Sequence, residues 1–410
     1  MDIALPRLTG EGHSALWAWA PVCESECFEQ RTRREMNQQR RIKRMLVGLG
    51  LAILLTGLLW LRSVDQQATP IAAPSGSGIL SEEGARPGTD QPAASPRAID
   101  RSAPPGEAAV PRLAGTLIRV MSGDQEVFKL PPEAVESFLR QNRTNAESLL
   151  AVYQVTQDPQ NLRLAAERHP DEPLVALQIV ANSVFPEQQR EWLDRLKALD
   201  PDNALANYLS ARHYLQTAQP QQAIEELQAA ATKTGIHDYL RERMQGLEEL
   251  YLSSGMAPAE AKVLGMTGLA LPMLPHLNEL ARETLALQRQ YAGTGDAASA
   301  EALAQYQVLL ARHLSQGQGA TCLVNQRVGM AMERGALTLL DPAQTYDFLG
   351  QSPAERLAVL QNQTTRMQAT IGWFGQWLPQ ASDSELIAYI DRVKLYGEPA
   401  AVQWLRGQQR

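Results

Sequence analysis

The most reactive side chains of this 410-residue chain are three cysteines and six histidines. The histidines (13, 169, 213, 237, 276 and 313) form no His-Glu-x-x-His pattern and no paired spacing with Cys or Asp. A zinc site needs three or four ligands brought together, and Cys23 with Cys27 supplies two thiols and no neighbouring ligand. Cys322 stands alone; a nucleophilic thiol needs a base and an electropositive setting, and it reads instead as a packed thiol. His213, beside Tyr214, reads as a packing or surface residue of a helix. No Gly-x-Ser-x-Gly turn and no glycine-rich phosphate loop occurs. The sequence therefore predicts no catalytic residue, no cofactor and no metal.

One aromatic cluster stands out. Trp373, Phe374 and Trp377 fall within IGWFGQWLP, and Trp373 and Trp377 share a helical face. They could anchor a partner. The simpler reading is the packed last turn of a helix stopped by Pro379.

The elements around these residues read as helices almost without interruption from Pro132. Apolar residues recur three and four apart, and the breaks carry Pro, Gly or Asp. Capping boxes stand at Ser352-x-x-Glu355 and Ser382-x-x-Glu385, the first with Pro353 at the first helical position. The junction Pro170-Asp171-Glu172-Pro173-Leu174 returns as Pro201-Asp202-Asn203-Ala204-Leu205. Tyr214, Ala218 and Ala223 have the same spacing as Tyr291, Gly295 and Ala300.

On these residues the chain resembles the tetratricopeptide repeat (TPR) superfamily. Ala211, Tyr214, Ala223, Leu227 and Ala230 meet that family's pattern, as do Leu287, Tyr291, Gly295 and Ala300. Asn207, Ser210 and Pro220 depart from it, and Ala304 and Gln307 fit it poorly. The resemblance implies helix pairs touching at small residues, with an aromatic beside the contact. Stacked pairs bury an apolar stripe that one pair leaves exposed. The expected fold is all-α: a TPR-like α-solenoid over 132–410, roughly 6–8 pairs at about 35 residues each. Residues 113–131 hold two β-prone runs, Thr116–Val120 and Glu126–Leu130, and read as a short hairpin or an extended strip along the body.

What precedes the body concerns placement. Residues 45–61, MLVGLGLAILLTGLLWL, carry no charge. Seventeen helical residues span roughly 25 Å against a ~30 Å hydrocarbon layer, and Ile42, Val64, Trp60 and snorkelling basic residues make up the difference. This is the expected transmembrane helix and the chain's contact with a membrane. Seven basic residues in 31–44 face Glu35 alone, which holds that side, the basic segment 1–44, in the cytoplasm and sends the C-terminal body across. The alternative is a signal peptide cleaved to release a secreted body; against it stand the length of the apolar run and the absence of a small-residue cleavage site after Arg62. Met36 opens MNQQRRIKR, a short basic lead, so 1–35 read as a stretch upstream of a second candidate start. Residues 63–112 hold eight Pro, five Gly, ten Ala and six Ser and no aromatic, and read as a disordered linker of Pro/Ala/Ser/Gly type, reaching on the order of 40 Å.

Charge narrows the partners. Residues 1–62 carry net +3, so the rest carries -10 of the total of -7. An acidic body lacks the clustered Lys and Arg that bind phosphate backbones, and no nucleic acid is expected. Only six of 38 basic residues are Lys, a bias expected of a GC-rich bacterial genome. Together these features predict a single-pass protein of a bacterial inner membrane. Its helical-repeat domain faces the periplasm and binds an unidentified protein or peptide without catalysis. The competing expectations are an all-α, glycan-active envelope enzyme with its carboxylates hidden among 45 acids, and a self-assembling envelope protein.

Overall fold

The computed structural model describes residues 112–319 and 321–408. The apolar segment 45–61, its basic flank and the linker up to residue 111 lie outside them. Among the described residues there are sixteen α-helices and no strand. In chain order they are α1 (Arg112–Met121), α2 (Pro132–Gln141), α3 (Ala146–Thr156), α4 (Pro159–Arg168), α5 (Pro173–Asn182), α6 (Gln189–Leu199), α7 (Ala204–Gln216) and α8 (Pro220–Ala231). There follow α9 (Leu240–Ser253), α10 (Pro258–Thr267), α11 (Met273–Gly293), α12 (Ala297–Ser315), α13 (Leu323–Leu337), α14 (Pro353–Trp377), α15 (Asp383–Tyr396) and α16 (Glu398–Gln408). None of these helices is long and apolar enough to cross a membrane.

Local chemistry sets most helix starts. Proline occupies the first turn of α2, α4, α5, α8, α10 and α14, where its missing N–H costs nothing. Pro220, a departure from the repeat pattern, is one of these starts. Asn145, Asp158, Asn203 and Asp296 each accept an N–H of the helix they open. Both capping boxes are formed, at Ser352/Glu355 and Ser382/Glu385.

Residues 113–131 form no hairpin. They hold α1 and a short 3-10 turn, Gln125–Phe128. Leu113, Ala114, Thr116, Leu117 and Val120 make one buried face three and four apart, and packing against α10 and α15 outweighs the β-propensity of the run. Asp383 reaches the open end of α1, accepting the Leu113 N–H at 3.0 Å.

The tyrosine echo marks helix hairpins. At the α7–α8 turn the Gln219 N–H donates to the Tyr214 carbonyl at 2.8 Å; at α11–α12 the Asp296 N–H donates to Tyr291 at 3.0 Å. Ala218 and Gly295 take the left-handed conformation (φ 58° and 83°) that closes each helix. Gly295 is therefore not a helix-contact residue: it is an exposed turn residue placed for its positive φ. A third turn, α9–α10, closes the same way, with Gly255 at φ 87° and the Met256 N–H on the Tyr251 carbonyl at 3.3 Å. Ala211, Ala223, Leu227, Ala230 and Ala300 are buried, whereas Tyr214, Leu287 and Tyr291 are half-buried against the same core.

Successive helices pack in pairs, but the contacts are not only between neighbours. Helix α3 packs on α9, α7 on α11, and α1 on α10 and α15. A stack of repeats touching only adjacent repeats lacks such contacts. The largest core gathers Leu177, Ile179, Leu205, Tyr208 and Leu277. A second joins Leu117, Val263, Trp377, Tyr389 and Val402, drawing α1, α10, α15 and α16 together. A third holds Val308, Leu337, Tyr346 and Leu360.

A candidate binding groove beneath a bridging helix

Helix α14 is unusual in what it leaves uncovered. It runs for 25 residues, and among them Pro353, Leu360 and Trp377 are buried. Its first half docks through Leu357, Leu360 and Met367 on the third core. Its last turns dock through Trp373, Phe374 and Trp377 on the second. The polar stretch QNQTTRMQAT (361–370) bridges the two docking points.

A groove of about 630 Å³ lies along that bridge, walled by α13, α14 and α16. Leu323, Met330, Met367 and Val402 supply its apolar lining, and Gln326, Gln363 and Gln403 supply amides. Its size falls within the usual ligand-site range of about 300–1,000 Å³. Three guanidinium groups and one carboxylate set its charge: Arg356, Arg366 and Arg406 against Glu333. Glu333, 1% exposed, accepts two bonds from Arg356 at 2.7 and 2.9 Å, and Arg312 stands 3.8 Å away. That pairing holds the Arg356 guanidinium more firmly protonated than usual. Arg406 donates to the Thr370 hydroxyl at 3.1 Å and sits 5.7 Å from the centre of the Trp373 ring. Neither Arg366 nor Arg406 meets a carboxylate among the described residues, so the groove carries an excess of two positive charges.

The aromatic trio is mostly interior. Trp377 is 6% exposed, stacks on Trp373 at 6.2 Å and meets Tyr389 edge-on at 6.0 Å. Phe374 lies 5.3 Å from Trp377 and 5.2 Å from Tyr389. Trp377 is buried and Phe374 half-buried in this cluster; Trp373, also half-buried, meets the groove through Arg406. The repeat-packing residues all sit on α7, α8, α11 and α12 or their turns, and none lines the groove.

Two departures from the repeat pattern form a polar clamp. The Glu226 carboxylate on α8 accepts from Asn207 at 2.7 Å, Ser210 at 2.8 Å and Lys197 at 2.6 Å. Arg190 donates to Ser210 at 2.7 Å. Asn207 and Ser210 thereby satisfy this inward carboxylate. Ala304 and Gln307, poor matches to the pattern, are buried, and Gln307 donates to the Ala281 carbonyl at 3.1 Å.

Burial shifts one cysteine and three histidines among the described residues. Burial, helped by the Glu398 carboxyl, pushes the Cys322 thiol up to about 12, which leaves almost no thiolate at neutral pH. Burial also drives His213, His276 and His313 toward their neutral forms. Among the described residues no group of His, Cys, Asp or Glu is placed to hold a metal.

Sequence reasoning did not find the groove, whose lining runs from Ser315 to Gly407 along the chain. One local signal was present, the polar stretch 361–370 inside a helix with good caps at its start. Comparison with protein-family models, with curated proteins and with solved structures gives no match for this chain.

Proposed function

We propose that the chain is a single-pass membrane protein whose helical body, built of TPR-like pairs in a partly closed solenoid, is a non-catalytic binding module. On this reading residues 45–61 span the inner membrane with the N-terminus in the cytoplasm. The linker holds the body clear of the bilayer on the far side. The groove beneath α14 takes an extended acidic segment of a partner protein. The carrying observation is the groove's lining: Arg366 and Arg406, without carboxylate partners among the described residues, together with amide and apolar side chains. Amides suit the backbone of an extended chain, the guanidinium groups suit its carboxylates, and the apolar lining suits interspersed apolar side chains.

The glycan-active alternative needs two facing carboxylates, about 5–10 Å apart, one of them free to carry a proton. The groove lining offers Glu333 alone, with both oxygens on Arg356.

Binding is tested on the full chain in detergent with labelled peptides, one alternating Glu with Leu and one with every Glu replaced by Gln. The acidic peptide should bind more tightly. Arg366→Glu with Arg406→Glu should weaken it by about tenfold or more, roughly 1.4 kcal/mol, and added salt should do the same. Equal binding of both peptides, or no effect of the double variant, refutes the assignment of the groove. Placement is tested separately by fusing alkaline phosphatase after Arg112: an inactive fusion beside an active cytoplasmic reporter at the same position would reverse the orientation.

A further inference from the structure

Away from the groove, a second cavity lies where α3, α5 and α9 meet. It has a volume of about 20 Å³. A single water needs about 10–15 Å³ on the same measure, so one water-sized body fits. Two side chains that line it have hydrogen-bonding capacity left over. Arg243 on α9 is 7% exposed; its Nη2 donates to the Ala270 carbonyl and, at 3.3 Å, to Gln154 Oε1, while Nη1 has no partner among the described residues. Gln178 on α5 is 3% exposed, and its Nε2 has no partner among the described residues. The orientation of that amide follows from its oxygen, which accepts from Asn182 at 3.3 Å.

Charge is the second part of the argument. A guanidinium stays protonated in a protein interior, and a buried charge without a counter-charge is costly. Arg243 forms no ion pair among the described residues. The acid that acts on it is Asp238. That carboxyl is itself buried, is bonded to the Leu240 N–H and the Thr321 hydroxyl, and is pushed toward its neutral form by burial. Glu147 and Glu242 also line the cavity, but both residues are exposed to solvent.

We propose that this cavity is a binding site for a single halide-sized anion, chloride in the cell, held between Arg243 Nη1 and Gln178 Nε2. An anion accepts both free N–H groups and supplies the missing counter-charge. A water would accept the same bonds but leave the guanidinium without a counter-charge inside the cavity. The cavity is too small for sulfate or phosphate. The bound ion ties α9 to α5, two helices far apart in the chain.

The test uses the full chain in detergent, purified without halide. Thermal unfolding is followed while sodium bromide replaces sodium gluconate at constant ionic strength. A saturable rise of a few degrees is expected in bromide. Gln178→Leu keeps the volume and removes one donor, so the bromide response should shift to about tenfold higher concentration. Arg243→Gln should abolish it. Crystals soaked in bromide should show anomalous density between the two nitrogens. Identical unfolding in bromide and gluconate overturns the proposal, with water as the occupant. So does a bromide response that Gln178→Leu leaves unchanged, or a Glu147 or Glu242 carboxylate found in the cavity instead.

Discussion

Two glycines on α13 should respond in opposite directions to the same substitution. In an exposed helix interior, Gly→Ala gains about 1 kcal/mol of helix propensity. A Cβ on Gly335 would meet the Leu285 Cδ2 at 3.7 Å, an ordinary contact, so Gly335→Ala should keep most of that gain. A Cβ on Gly329 would stand 2.5 Å from the Ala311 carbonyl oxygen and 2.7 Å from the Ser315 Cβ. The first distance falls about 0.9 Å short of the 3.4 Å at which ordinary contacts begin. The obstacle is α12 backbone, which has no rotamer to change, so α12 and α13 must move apart along their contact. Overpacking of this kind costs about 1–3 kcal/mol, and backbone obstruction favours the upper end. After the propensity gain a net loss of about 1–2 kcal/mol remains. For a domain of this size about 2–4 °C of melting temperature accompanies each kcal/mol. Differential scanning calorimetry should therefore show Gly329→Ala melting roughly 2–8 °C below the parent and Gly335→Ala at or slightly above it. Two variants that both melt above the parent would refute the close approach of α12 and α13.

Three further outcomes are expected. Ala223, 1% exposed in the α7–α8 contact, and its exposed neighbour Gln222 should separate clearly: Ala223→Trp loses about 1–3 kcal/mol and Gln222→Trp stays within about 0.5 kcal/mol, and equal melting temperatures would refute the helix register. The Glu398 carboxyl faces inward, accepting the Leu323 N–H at 2.8 Å and the buried Tyr389 hydroxyl at 3.4 Å, and burial holds its pKa above the ordinary value. The folded chain then keeps a proton that the unfolded chain has released, so stability falls as pH rises through the window between the two values; Glu398→Gln should flatten that fall in urea titrations at pH 4 to 8, leaving the part of the same sign due to Asp238, and an unchanged slope would refute the buried carboxyl. A fragment from Leu113 to Arg410 should fold alone as a helical protein, because α1 packs on α10 and α15 of the same body; a far-ultraviolet spectrum dominated by coil would contradict this.

Features written in neighbouring residues were legible without coordinates. Ser352 with Glu355, Ser382 with Glu385, and the prolines that open helices act through bonds within one turn, so type and spacing suffice to place them. The tyrosine echo was legible as spacing, because the Tyr214 and Tyr291 carbonyls are reached five residues on; the work of Gly295 was not, because a positive φ and a close contact both select a small residue. Helix α1 was misread for a related reason: Thr116–Val120 suits a strand locally, and only its neighbours α10 and α15 make the helical face pay. Tertiary structure alone decided the rest. Arg366 and Arg406 lie 40 residues apart and share a groove only because α14 bridges two cores above α16. Gly329 is tight only because α12 passes over it, and Arg243 and Gln178 face one cavity only because α9 returns to the start of the body. Periodicity reports which face of a helix turns inward; what that face meets is fixed by the packing of elements distant in sequence, and there the charges and cavities of this protein are made.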